Sequence, residues 1–547
     1  MATSSGMAWP NPSTVITKAS WNASTPATTS TVALPEHCEV TGAIAKRTGT
    51  DGQPYEIKFH LRMPAGWNNR FFMEGGGGSN GTLSAALGSL GGSQTANALS
   101  RSFATISTDA GHDNAVNNNP NALGAASFGM DPQARLDMGY NSYDQVTRAG
   151  KAAVTRFYGQ APQKSYFVGC SEGGREAMMM SQRFPTYYDG IVAGDPGFQL
   201  PKAGISGAWT SQAFAPLAVG VDANNVPLIN KAFSDTDLNL LAQSILGKCD
   251  ALDGLKDGIV DNYAACQAAF NPSTATNAAT GAALQCSAAK TDECLSKPQI
   301  DALKKAMGGP VDSQGRQLYA TWPWDPGMGG LNGTQPNQGW RSWWLGTFAP
   351  NSNSAQRLTG FSAQSWLVDF ATPPEPMLAS AVGARMLAFN FDTDPNKIFA
   401  TSGPYTQSSM EWDGATSTNL STFRDRGGKL ILYHGMSDAA FSANDTMRWY
   451  DALTATMGPM TQNFSRLFIV PGMNHCSGGP ATDSFDMLTP LVAWVENGTA
   501  PDAVVAKASN PGFFGVPSRS RPLCSYPKTA RYSGSGDVNL DTSFTCQ

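Results

Sequence analysis

Short apolar runs and amphipathic stretches alternate over the first two hundred residues. Residues 55–61 alternate apolar and polar at every second position, as a half-buried strand does. Residues 70–74 predict a short strand that runs into Gly75, Gly76, Gly77 and Gly78, and 103–107 predict another that ends at Thr108 and Asp109. Over 142–158, Val146, Ala149, Ala153, Val154 and Phe157 fall on one face of a helix. Residues 165–168 read as a buried strand, broken by Gly169. A helical pattern over 173–183 and a strand over 191–193 follow.

The texture then changes. From 198 to 417 the chain is rich in Gly, Asn, Ser, Trp and Pro, and stretches such as 327–339 read as long loops. The strand–helix rhythm returns with strands over 429–433 and 466–470 and a helix over 485–495. Strands alternating with helices predict a doubly wound, mainly parallel sheet, which binds ligands beyond the carboxyl ends of its strands. Residues 1–197 and 418–547 are therefore expected to form one α/β domain, and 198–417 an inserted lid or substrate-binding domain.

Composition narrows the picture. The 547 residues are 41% hydrophobic and only 14% charged, with net charge −5, which fits a large folded core. No basic run is interleaved with aromatics, so nucleic acid is not expected as a partner. No apolar run is long enough for a membrane span. The first seventeen residues lack the basic start and apolar block of a signal peptide. Cysteines at 249/266, 286/294 and 524/546 flank short polar loops, a pattern of local disulfides formed in an oxidising compartment. The expectation is a secreted, periplasmic or cell-surface protein whose signal peptide has been removed, monomeric, with Cys38 left unpaired.

The chemistry sits at strand ends. Gly169-Cys170-Ser171-Glu172-Gly173 follows a strand and opens a helix, the context of a G-x-S-x-G nucleophile elbow. This makes Ser171 the candidate nucleophile and the sheet that of an α/β hydrolase. Of five histidines, His475 follows the strand over 466–470, late in the chain, where the base belongs. Asp438, after the strand over 429–433, is placed to orient it. His60 lies in a strand pattern and reads as structural. Cys170 precedes the serine and Cys476 follows the histidine, so a Cys170–Cys476 bridge would pin nucleophile to base. The N–H groups of Glu172 and of Gly78, in the glycine run, are the candidate oxyanion donors. No Gly-Lys-Ser/Thr follows that run, which excludes a phosphate loop.

These motifs resemble the tannase/feruloyl esterase family over nearly the whole chain. Most specific are residues 168–176, 433–442 and Asn337-Gln338-Gly339-Trp340-Arg341-Ser342-Trp343-Trp344-Leu345-Gly346, which are similar to a branch that hydrolyses mono(2-hydroxyethyl) terephthalate to terephthalate and ethylene glycol. The resemblance implies a serine esterase acting on small aromatic esters without a catalytic cofactor; the alternative is an esterase of plant phenolic esters. A non-catalytic binding protein on the same scaffold would usually lack a member of the triad, and all three are present. The resemblance also implies that Arg357 grips a free substrate carboxylate, with Trp343, Phe361, Ser362, Ser365, Phe370, His434 and Phe441 around it. It implies a structural Ca²⁺ in the lid, held by Asp250, Asp253 and Asp257 and the carbonyls of Leu255 and Ile259. The family pairs the cysteine corresponding to Cys38 with one further upstream, which this sequence lacks.

Overall fold

A computed structural model describes residues 8–329, 339–347 and 351–547. Asn337 and Gln338 of the motif above, and most of the loop over 327–339, lie outside the described residues. One nine-stranded sheet organises the fold. Its strands are β1 (Val15–Asn22), β2 (His37–Thr48), β3 (Pro54–Pro64), β4 (Arg70–Glu74), β5 (Ala104–Thr108), β6 (Lys164–Cys170), β7 (Gly190–Gly194), β8 (Lys429–Gly435) and β9 (Ser465–Val470), in the order β1-β2-β3-β5-β4-β6-β7-β8-β9. The pairings β1·β2, β2·β3 and β3·β5 are antiparallel, and the five that follow are parallel. The sheet is mixed and mostly parallel, with an antiparallel flank that the apolar pattern of the chain does not announce. β1 shows why. Val-Ile-Thr-Lys-Ala-Ser-Trp-Asn lies at the edge, exposed or half-buried throughout, and carries no apolar face to detect.

The central strands are buried on both faces, which is why they read as short continuous apolar runs. On one face, helix α1 (Ser142–Tyr158) presents Val146, Ala149, Ala153 and Val154 to Phe71, Ile106 and Phe167. On the other, α2 (Leu488–Asn497) places Leu488, Leu491 and Trp494 against Tyr166, Val192, Ile431 and Phe468. Asp486 accepts the Leu488 N–H (2.9 Å), so the helix starts three residues later than its apolar pattern predicts.

Between β7 and β8, residues 195–428 add no strand to this sheet among the described residues. The insertion is built on helices such as Leu200–Phe214, Asp235–Cys249 and Lys297–Met307. Ser234 and Ser296 cap two of them in reciprocal boxes with Asp237 and Gln299. Trp322, Trp344, Trp366 and Trp412 are buried in the same apolar core as the sheet. Four disulfides form: Cys170–Cys476, Cys249–Cys266, Cys286–Cys294 and Cys524–Cys546; Cys38 is free and buried. No helix among the described residues is long and apolar enough to cross a membrane.

Candidate active site

At the carboxyl end of β6 the chain turns sharply into the helix Glu172–Arg183. Ser171 takes the turn at φ +66°, ψ −122°, a conformation costly for a side-chain-bearing residue. Its N–H donates to the Gly194 carbonyl (3.0 Å), which holds the turn against β7. The turn is possible because Gly169 and Gly173 have no side chains: a Cβ on Gly169 would lie 2.3 Å from the Gly173 carbonyl oxygen.

Three side chains from three strand ends meet above this turn. Ser171 Oγ donates to His475 Nε2 (2.7 Å), and His475 Nδ1 donates to Asp438 Oδ2 (2.8 Å). Asp438 accepts only, so it fixes the tautomer that leaves Nε2 free to accept from the serine. The other Asp438 oxygen accepts the N–H groups of Ala440 (2.7 Å) and Phe441 (3.1 Å). Burial opposes charge on Asp438, yet the neighbouring His475 and His434 hold it below the usual carboxylate range. Burial likewise disfavours the His475 imidazolium, but the charge and hydrogen bond of Asp438 outweigh it and raise the histidine above its ordinary value. The Cys170–Cys476 bridge joins the neighbours of Ser171 and His475 with 6.0 Å between Cα atoms. It closes a loop of 306 residues, which chain-entropy arguments value at upward of about 4 kcal/mol.

The glycine run lies beside the elbow. A Cβ on Gly75 would fall 2.8 Å from Gly173 Cα, so loop and elbow touch backbone to backbone. Gly173 N–H donates to the Gly76 carbonyl (3.0 Å). Gly78 sits at φ +65° with Phe361 next to it, and its N–H has no partner among the described residues. Glu172 is the first residue of its helix, so its N–H has no intrahelical acceptor. Its carboxyl is buried and bonded by Arg175 (2.7 Å), which also pairs with Asp413 of the insertion (3.2 Å). Burial pushes that carboxyl up to about 8 against the pull of Arg175.

The residues matched to a substrate pocket fall into two groups. Trp343 and Phe441 present ring edges to His475 at centroid distances of 5.7 and 5.4 Å. Phe361 is 38% exposed, Ser362 is half-buried, and Ser365 Oγ lies 3.2 Å from Ser79 Oγ beside the glycine run. Trp343 and Phe441 thus flank the histidine, and Phe361 and Ser365 lie against the glycine run. The other three are placed differently. Phe370 is buried and stacks on Trp412. His434 is fully buried behind the acid: its Nε2 donates to the Phe441 carbonyl (3.2 Å), lies 3.3 Å from Asp438 Oδ2, and its Nδ1 accepts from Thr446 (2.8 Å). Arg357 is 1% exposed, sandwiched between Trp322 and Trp344 with its guanidinium 4.5 and 4.7 Å from the ring centroids. It donates to Ser206 (3.3 Å) and to the carbonyls of Ala439 (2.7 Å) and Ala440 (3.2 Å), which leaves two of its five N–H groups uncommitted among the described residues. Burial pushes it down to about 9.

Several buried acids at the site carry no sequence signal. Asp195, directly after β7, accepts the Gly435 N–H (2.8 Å), lies 3.7 Å from His434, and is pushed up to about 7 by burial. Asp325, from the insertion, accepts from Ser437 of the acid loop and from Gly472 of the base loop (3.3 Å). Glu176 reaches the glycine run.

Remote from the serine, Asp250 accepts the N–H groups of Asp257 and Gly258 (3.1 Å each), Asp253 those of Leu255 (3.1 Å) and Asp261 (3.0 Å), and Asp257 that of Ile259 (3.0 Å). Asp257 also pairs with Arg521. Burial raises Asp253 to about 6, with Asp257 and Asp250 adding to it, and holds Asp261 well above the usual range. The carboxylates of this loop do not converge within 4.8 Å, as the side chains of Asp195, His434 and Asp438 do.

The family described as "Tannase and feruloyl esterase" matches residues 38–547. The chain is 70% identical over 540 residues to the mono(2-hydroxyethyl) terephthalate hydrolase of Piscinibacter sakaiensis, covering 99% of this chain and 89% of that one. Among solved structures, feruloyl esterase B of Aspergillus oryzae superposes with a TM-score of 0.68 at 23% identity, covering 98% of this chain and 97% of that one. The tannin acyl hydrolase of Aspergillus niger superposes with a TM-score of 0.68 at 20% identity, covering 99% and 93%. At those identities the two structures establish the fold alone.

Proposed function

The chain belongs to the tannase and feruloyl esterase family, and from that premise we propose that it hydrolyses mono(2-hydroxyethyl) terephthalate to terephthalate and ethylene glycol through an acyl-enzyme on Ser171. It is a carboxylic ester hydrolase. The observation that carries the chemistry is the continuous hydrogen-bonded line from Ser171 through His475 to Asp438. The identity to the Piscinibacter sakaiensis hydrolase supports the substrate.

Ser171 Oγ attacks the ester carbonyl as His475 Nε2 takes its proton, and Asp438 stabilises the imidazolium. The N–H groups of Gly78 and Glu172 receive the oxyanion, both being uncommitted and adjacent to the elbow. His475 then protonates ethylene glycol as it leaves. Water, deprotonated by the same imidazole, releases terephthalate. The rings of Trp343, Phe361 and Phe441 wall the aromatic ring of the substrate. Arg357 takes its free carboxylate by exchanging the Ala439 and Ala440 carbonyls for a bidentate pair. Phe370 and His434 support this pocket from behind.

The loop over 249–266 is suited to a structural Ca²⁺. Its donors are oxygen only, Asp257 and Asp250 add to the burial that raises Asp253, and among the described residues Asp257 alone of the three is paired with a cation. The ion would be held by Asp250, Asp253, Asp257 and the carbonyls of Leu255 and Ile259, remote from the ester. Four disulfides fit work in an oxidising compartment outside the cytoplasm.

Ser171→Ala tests the reading. Turnover and labelling by a fluorophosphonate should both disappear while terephthalate still binds; turnover retained by the variant rejects the assignment. Rates on mono(2-hydroxyethyl) terephthalate, methyl ferulate and a gallate ester then set the substrate, and a preference for ferulate or gallate would replace the terephthalate reading.

A further inference from the structure

One buried carboxylate beside the elbow has no part in the chemistry just described. Glu176 lies one turn beyond the start of the helix Glu172–Arg183 and is fully buried. Among the described residues no cation pairs with it, because the adjacent Arg175 spends its guanidinium on Glu172 and Asp413. An unpaired carboxylate in a protein interior is costly unless hydrogen bonds replace its water. Glu176 has three. Its Oε2 accepts the Gly76 N–H (3.0 Å), and its Oε1 accepts Asn80 Nδ2 (2.7 Å) and Tyr143 Oη (2.8 Å).

Two of those donors bracket one turn. Gly77 to Asn80 is closed by the Asn80 N–H donating to the Gly77 carbonyl (2.9 Å), and Gly78 lies inside it at φ +65°. Gly76 enters the turn and Asn80 leaves it, and both are tied to the same carboxylate. On its other side, Gly76 accepts from Gly173 at the elbow (3.0 Å). A Cβ on Gly76 would fall 2.3 Å from the Asn80 side chain, so the two arms are packed as well as bonded.

We propose that Glu176 is the positioning residue of the oxyanion loop: one carboxylate, rooted in the helix that begins at the nucleophile, holds Gly76 and Asn80 and thereby sets the distance from the Gly78 N–H to the reacting carbonyl. This rests on the esterase reading above. The loop itself is glycine-rich and has little intrinsic preference for one conformation. Because helix and serine move together, the clamp keeps donor and nucleophile in register through both halves of the reaction.

The test separates positioning from general stability. Glu176→Gln preserves shape but turns one acceptor into a donor facing a donor. The expected result is a fall in kcat of at least about tenfold with KM within about twofold, since an oxyanion donor is felt in the transition state and one lost outright costs about 10²–10³ in rate. Affinity for 4-carboxyphenylboronic acid, which forms a tetrahedral adduct on Ser171, should fall by a similar factor. Affinity for terephthalate should not change. Wild-type kcat and boronate affinity in Glu176→Gln would overturn the proposal, as would an equal loss of boronate and terephthalate affinity. If that variant does not fold, Asn80→Gly removes one arm at a backbone angle glycine tolerates, and the same criteria apply. Failure of the esterase reading is seen separately, as turnover surviving Ser171→Ala.

Discussion

The strand-end side of the site and the insertion that covers it are built on opposite terms. Ser171, Asp438 and His475 stand at the ends of β6, β8 and β9, on turns fixed by backbone bonds and by a disulfide between two of them. Each side chain has a single geometry that its own loop enforces. The insertion contributes Trp343, Phe361, Ser365 and Arg357 from short helices and loops, and they are held by packing and by bonds to distant backbone. Arg357, for example, is held by two aromatic rings and two carbonyls of the acid loop. On the function proposed above, the chemistry rests on the strand ends and much of the substrate pocket on the insertion.

The sharpest way to break that division is at the acid. Asp438→Asn should cost about 10³–10⁴ in kcat, because an amide in that position favours the wrong imidazole tautomer. The same variant should change the pH profile. Only neutral His475 accepts the serine proton, and Asp438 raises the histidine, so wild-type kcat/KM should fall on acidification through a pKa above that of a free histidine. Removing the negative charge should move that acid limb to lower pH; an unmoved limb would mean another group titrates. A smaller effect is expected across the divide. Arg357→Ala should raise KM about tenfold or more for a substrate with a free carboxylate and far less for its neutral methyl ester, with kcat on the ester nearly intact. Equal losses on both would show that Arg357 mainly holds the acid loop. Least affected should be the rate after chelation: EDTA should lower Tm by several degrees while leaving kcat at 25 °C unchanged, and a Tm indifferent to both EDTA and added Ca²⁺ would remove the ion from the loop.

How much of this the chain reveals beforehand follows the same line. The buried parallel strands were legible because burial on both faces writes a continuous apolar run, and the elbow because a sharp strand-to-helix turn demands glycines at fixed offsets. β1 and β2 were not, since Thr17, Lys18, Glu39 and Thr41 interrupt any simple pattern and their pairing is decided by β3. Phe370 of the insertion and His434 at the end of β8 are both buried, the first stacked on Trp412 and the second bonded to Thr446 and Phe441, and such burial is set by tertiary partners that no local spacing encodes. Glu176, Asp195 and Asp325 were invisible for a related reason. A carboxylate becomes structural only when tertiary contacts supply donors in place of water, and no local spacing encodes that.

Asp325 has a consequence for how the insertion is held. It comes from the insertion, yet it is bonded at once to Ser437 and Gly472, one residue from the acid and three from the base. Swinging the insertion away would strip a buried carboxylate of donors worth about 1.5–3 kcal/mol each and loosen both catalytic loops in the same stroke. Through this one side chain the insertion is tied to the acid loop and to the base loop together.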